Sequence, residues 1–140
     1  MTIADIGIVS ALAFAALGSA LGTGFAGMSA VGAWKKCFAE NKPAPFLLLV
    51  FVGAPLTQTI YGMILMLQLQ GSPAADSMKL AIGVLGGMAI GASALFQGRA
   101  GASASDAFAQ TQKGFANNLS VLGIIESVAI FTLVFSFLIL

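Results

Sequence analysis

From about Leu119 to Leu140 the chain is an apolar run long enough to cross a bilayer, with one carboxylate, Glu126, near its middle. No other feature restricts the fold as much. In hydrocarbon the backbone must satisfy its own hydrogen bonds, so a run of this length is a membrane helix. An ionised carboxyl at that depth costs roughly 2.5–3.5 kcal/mol on insertion scales, so it faces a partner or a water-filled path. Glu126 is therefore the first functional candidate; the alternative is a protonated, hydrogen-bonded acid that only locks helix packing.

Composition extends this to the whole chain. Hydrophobic residues make up 59% of the 140 and charged residues 8%, against about 25% charged in an ordinary soluble domain. The class is an integral membrane protein with room for four crossings and short connections. The net charge of +1 gives no reason to expect nucleic acid as a partner. With no histidine and one cysteine, Cys37, an intramolecular disulfide and the usual thiolate or imidazole metal sites are excluded. Cys37 reads as an ordinary loop thiol.

The first span is expected from about Asp5 to Ala33. Met1-Thr-Ile-Ala-Asp5 lacks the positive n-region of a signal peptide, which makes this a retained helix. Gly18, Gly22, Gly24, Gly27 and Gly32 run along it, and small residues at three- and four-residue spacing let helix backbones approach closely in lipid. Trp34-Lys35-Lys36 marks its end, and a loop over 34–45 follows with Glu40, Lys42, Pro43 and Pro45.

The second span, about Phe46 to Gln70, carries polar residues where a span should be most apolar: Gly53-Ala-Pro55-Leu-Thr57-Gln58-Thr-Ile-Tyr61. Thr57, Gln58 and Tyr61 can share one face. Pro55 has no N–H, so a carbonyl one turn earlier loses its donor and the distorted turn can expose a backbone oxygen. The third span, about Met78 to Phe108, repeats the first. Ser19-Ala-Leu-Gly-Thr-Gly24 aligns with Ser93-Ala-Leu-Phe-Gln-Gly98, so Gln97 stands where Thr23 stands. Matching the other two spans by their polar midpoints sets Gln58 opposite Glu126. The expectation is one all-α membrane domain over 1–140, a duplicated helical hairpin with hairpin 1 at 1–72 and hairpin 2 at 73–140.

Five of the six cations, Lys35, Lys36, Lys42, Arg99 and Lys113, lie toward the ends where spans one and two, and spans three and four, are joined; Lys79 is opposite. The positive-inside tendency then places the loops 34–45 and 109–118 in the cytoplasm and both termini outside. Arg99 reads as a side chain snorkelling toward that interface.

The polar inventory is one of oxygens. Glu126 supplies a negative charge, Gln58 and Gln97 amide carbonyls, Thr57 a hydroxyl, and the turn before Pro55 a backbone carbonyl. Hard cations favour such ligands. One carboxylate balances one Na⁺, whereas a divalent ion would leave net charge in low dielectric. H⁺ is the alternative, needing only Glu126 and one acceptor. Tyr61 is placed to donate its hydroxyl to Glu126.

On Pro55-Leu-Thr57-Gln58-Thr-Ile-Tyr61, Gln97-Gly98, Glu126 within Ile-Ile-Glu-Ser-Val-Ala-Ile, and the glycine-rich first and third spans, the chain resembles the four-helix proteolipid of V-type ATPase rotor rings, in particular the sodium-pumping bacterial form. The resemblance implies Na⁺ coordination by Thr57, Gln58, Gln97, Glu126 and the main-chain carbonyl of Ala54, with Tyr61 as a hydrogen-bonding neighbour. Leu56 departs from that form, in which a glycine stands. It also implies a closed ring of identical chains in lipid, with spans one and three inside and two and four outside. A stationary membrane subunit with a half-channel and a central-stalk subunit at the cytoplasmic loops are the implied partners, and a bacterial plasma membrane the implied location. The chain has no P-loop and no catalytic base, so ATP hydrolysis is expected on other subunits. Two rivals from other classes are a small multidrug antiporter, which would carry its acid in the first helix, and a structural tetraspan protein in which Glu126 only packs.

Overall fold

The computed structural model describes residues 2–140, whose regular elements are all helices. Helix α1 spans Ile3–Ala39. Helix α2 covers Leu48–Gly53, passes through a 3₁₀ turn at Ala54–Leu56 and continues as α3, Thr57–Gly71. Helix α4 spans Asp76–Thr111 and α5 Phe115–Ile139. Since α2, the 3₁₀ turn and α3 form one continuous rod, four helical rods among the described residues are long and apolar enough to cross a membrane. Helix α1 starts at a capping box: Thr2 Oγ1 accepts from the Asp5 N–H at 3.2 Å, and Asp5 Oδ2 accepts from the Thr2 N–H at 2.7 Å.

Two expectations are corrected. The connections are shorter than 34–45 and 109–118, because α1 runs on through Trp34, Lys35 and Lys36 to Ala39, and α4 and α5 extend to Thr111 and from Phe115. Charged and polar residues read as loop are good helix formers at a helix end. Cys37 therefore lies on α1 rather than in a loop, and it is buried, with Sγ 4.0 Å from the Ala109 carbonyl. The α4–α5 turn is tight, with Gln112 at φ 55° and Gly114 at φ 75°. In the other connection the Trp34 indole N–H donates to the Pro45 carbonyl at 2.8 Å, and Lys42 pairs with Glu40 at 2.6 Å.

Helices α1 and α4 run parallel in backbone contact. A Cβ on Gly83 would strike the backbone of Gly7, one on Gly18 that of Gly91, and one on Gly98 that of Gly22. The small residues thus act as contact surface, which in lipid replaces a hydrophobic drive to pack. Gly62 brings α3 onto α1 at Ala11 and Ala15 in the same way. One buried apolar cluster contains Ala30, Cys37, Leu48, Phe51, Phe108 and Leu122. A second contains Ala11, Ala15, Leu65, Leu69, Ile90, Ala129 and Leu133. Between these clusters along α3, α4 and α5 lies a polar layer. The outward faces, with Leu17, Leu21 and Met28 on α1 and Ile124, Phe131 and Leu138 on α5, remain exposed and apolar, as a chain surrounded by lipid or by other apolar helices requires.

Candidate ion-binding site

The polar layer begins at Pro55. Without an N–H it cannot complete the ladder bond to Phe51, and the chain tightens into the 3₁₀ turn Ala54–Leu56. The freed Phe51 carbonyl lies against Gly101, where a Cβ would sit 2.8 Å from that oxygen. The turn closes with the Thr57 N–H bonded to the Ala54 carbonyl. It thereby sets the Thr57 side chain beside that carbonyl and over Glu126 of α5.

Thr57 Oγ1 is 2.6 Å from Glu126 Oε1, 2.9 Å from the Ala54 carbonyl oxygen and 3.1 Å from Gln58 Oε1. The Tyr61 hydroxyl donates to Glu126 Oε1 at 2.8 Å. Gln97 Nε2 donates to Glu126 Oε2 at 3.2 Å and to the Leu122 carbonyl at 2.9 Å. Gln58 Nε2 donates to Gln97 Oε1 at 2.9 Å. Gln58 and Gln97 are completely buried, whereas Thr57, Tyr61 and Glu126 are partly exposed, so the layer opens toward the α3–α5 face.

All five side chains singled out from the sequence therefore meet in one network, and the Ala54 carbonyl joins it. The arrangement is rich in acceptors around a single point. Three oxygens, from Ala54, Gln58 and Glu126, converge on one hydroxyl that has only one proton to give. Two of the three are left with lone pairs facing the same hydroxyl oxygen, an acceptor-rich arrangement of the kind that hard cations bind.

One member is not evident from the sequence. Ser93, 5% exposed, donates to the Ile125 carbonyl at 2.9 Å and lies 3.5 Å from Gln58 Nε2. It stands one turn before Gln97 on the same face of α4, and that i, i+4 spacing is the available signal. In a helix full of Gly, Ala and Ser, one more serine reads as a packing residue. Arg99 is not part of the layer; its guanidinium lies over the Phe96 ring, 6.0 Å from the centroid, on an exposed face of α4.

Residues 80–139, which cover most of α4 and all but the last residue of the chain after it, match the family model of the ATP synthase C subunit. That family comprises non-catalytic, ion-translocating proteins that form helical-hairpin rotor rings in membrane ATPases. The match contains Ser93, Gln97 and Glu126; Thr57, Gln58 and Tyr61 lie outside it. Among curated proteins none matches the chain.

Proposed function

We propose that the whole chain is a rotor-ring proteolipid of the kind its second hairpin matches, of the V-type, and that it carries Na⁺ at Glu126. The observation that carries the choice of ion is the convergence of the Ala54, Gln58 and Glu126 oxygens on Thr57 Oγ1. Thr57, Gln58, Glu126 and the Ala54 carbonyl are the ligands in this reading; Gln97, expected among them, donates its Nε2 to Glu126 Oε2 and takes the Gln58 N–H on its Oε1, so it holds the ligands in place, and Tyr61 steadies the carboxylate. Glu126 is the only acid in the polar layer, so one bound Na⁺ leaves the site neutral.

The mechanism couples neutrality to rotation. An occupied site passes through lipid because its carboxylate is balanced. A vacated one is held beside the half-channel of a stationary membrane subunit, since a bare carboxylate in hydrocarbon is costly. Moving each ion against the potential costs about 2.3 kcal/mol per 100 mV, drawn from ATP hydrolysis on other subunits. In the ring of identical chains the Gly-lined helices α1 and α4 form the inner wall, and the α2–α3 rod and α5 face outward. The α1–α2 and α4–α5 turns dock the central stalk on the cytoplasmic side, with both termini outside. Because Gln58 occupies in the first hairpin the place that Glu126 holds in the second, each chain carries one ion per turn of the ring.

The test is carbodiimide modification of Glu126 in purified rings, since the reagent attacks the protonated carboxyl. Slower labelling with Na⁺ than with K⁺ at fixed pH is the expected result. Labelling that follows pH alone would make the ring a proton carrier, and binding of two ions per chain by purified rings would overturn the single-site reading.

A further inference from the structure

The buried amide of Gln58 can sit either way round, and only one orientation places oxygen among the ligands. What decides is the main chain of α5, whose carbonyls can only accept. Ile125 O takes the single proton of Ser93 at 2.9 Å. The Ser93 oxygen is then left with lone pairs alone, so whatever faces it must donate. Gln58 Nε2 faces it, at 3.5 Å. Leu122 O acts in parallel through Gln97: it takes a proton from Gln97 Nε2 at 2.9 Å, which turns Gln97 Oε1 toward Gln58 Nε2, also at 2.9 Å. Both paths require nitrogen on the inner side of Gln58 and so drive Oε1 outward, to 3.1 Å from Thr57 Oγ1. Reversed, the amide would present N–H groups where a cation has to bind.

We infer that Ser93 is a positioning residue of the ion site, which holds the Gln58 amide oxygen toward the cation by giving its own proton to the Ile125 carbonyl. The inference rests on the Na⁺-carrying reading above. The sequence repeat provides a contrast within the same chain. Ser19 and Thr23 stand where Ser93 and Gln97 stand, and neither hydroxyl has a hydrogen-bond partner among the described residues. The relay of polarity from a neighbouring helix is thus built only in the half of the chain that carries the carboxylate.

The experiment uses rings purified from the assembled complex, as wild type, Ser93→Ala and Ser93→Thr. It measures the Na⁺ concentration that halves carbodiimide labelling of Glu126 at fixed pH, together with the labelling rate without Na⁺. Removing one net hydrogen bond from the orienting set should raise the half-protecting concentration about fivefold in Ser93→Ala. Each variant is normalised to its own rate without Na⁺, and Ser93→Thr, which keeps the hydroxyl, should return near to wild type. A half-protecting concentration within about twofold of wild type in Ser93→Ala overturns the inference, and so does an equal loss in both variants, since the hydroxyl would then not be the cause. Absence of Na⁺ protection in the wild type is a different result: it removes the Na⁺ reading and this inference with it.

Discussion

Thr57 Oγ1 and Glu126 Oε1 are 2.6 Å apart although 69 residues separate them in the chain. The contact exists because Pro55 forces a 3₁₀ turn immediately before Thr57, and it joins the first hairpin to the acid of the second. Hydrogen bonds to charged groups contribute about 1.5–3 kcal/mol, so Thr57→Ala should raise the half-protecting Na⁺ concentration at least tenfold. Thr57→Ser, which keeps the oxygen, should stay within about threefold. Sodium-protected labelling of the two variants measures the difference.

Glu126→Gln should leave ring assembly intact, because the amide retains the volume and can still bond to Thr57 and Tyr61. Carbodiimide labelling and ATP-driven Na⁺ uptake into vesicles should both fall by more than about a hundredfold, since no other carboxylate lies in the layer. Uptake at wild-type rate in the assembled complex would mean that Glu126 only packs.

Tyr61 gives Glu126 Oε1 a second donor, at 2.8 Å. Tyr61→Phe removes that donor with little change of volume, and because the tyrosine is not a ligand and bonds the carboxylate with and without Na⁺, the expected loss of Na⁺ protection is only about threefold, smaller than for Thr57→Ala. A loss larger than that of Thr57→Ala would make the tyrosine oxygen itself a ligand.

The residues around Glu126 are readable in the sequence for a physical reason. A polar side chain in a lipid span is costly enough that Thr57, Gln58, Gln97 and Glu126 stand out singly, and Pro55 announces a break in the helix, although the carbonyl it frees, that of Phe51, packs on Gly101 and the one that joins the layer is that of Ala54. The four rods and their glycine-rich packing faces are readable on the same grounds. Helix ends are not, because Trp34, Lys35, Lys36 and Cys37 suit a helix terminus as well as a loop. Nor is Ser93, whose role depends on the Ile125 carbonyl of another helix, 32 residues away. Which way an amide faces is a property of the assembled layer, and no local pattern encodes it.

Gly98 and Gly71 separate packing from propensity. A Cβ at Gly98 would strike the Gly22 backbone, whereas one at Gly71, in the last turn of α3, meets nothing within 4 Å. Gly98→Ala should cost about 1–3 kcal/mol or more through overpacking and lower the ring's thermal stability in detergent. Gly71→Ala should be neutral or slightly stabilising through better helix propensity. Equal stability of the two variants would show that α1 and α4 do not touch through these glycines.

The proposed docking of a stalk at the α1–α2 and α4–α5 turns can be tested through their charges. Lys36, Cys37, Glu40, Lys42, Asp106 and Gln110 line a cavity where α1 and α4 end together. Glu40 is held below the usual carboxylate range by the hydrogen bond from Lys42 and its charge, and Lys42 is raised by the hydrogen bond to Glu40 and its charge. The depressed Glu40 loses its charge only as pH falls below the ordinary carboxylate range of about 4.3, and the raised Lys42 only as pH rises above about 10.4. Stalk retention that depends on this corner should therefore be flat between about pH 5 and 9. Within that window, reversing Lys35, Lys36 and Lys42 together should weaken attachment on the order of tenfold at low salt, and less at high salt, where exposed charges are screened. Lys42→Glu alone should do less than Lys36→Glu, because Lys42 is already neutralised at 2.6 Å by Glu40. Pull-down of the ring through the stalk at two ionic strengths reads all three variants, and retention unchanged in the triple variant would remove these lysines from the docking surface.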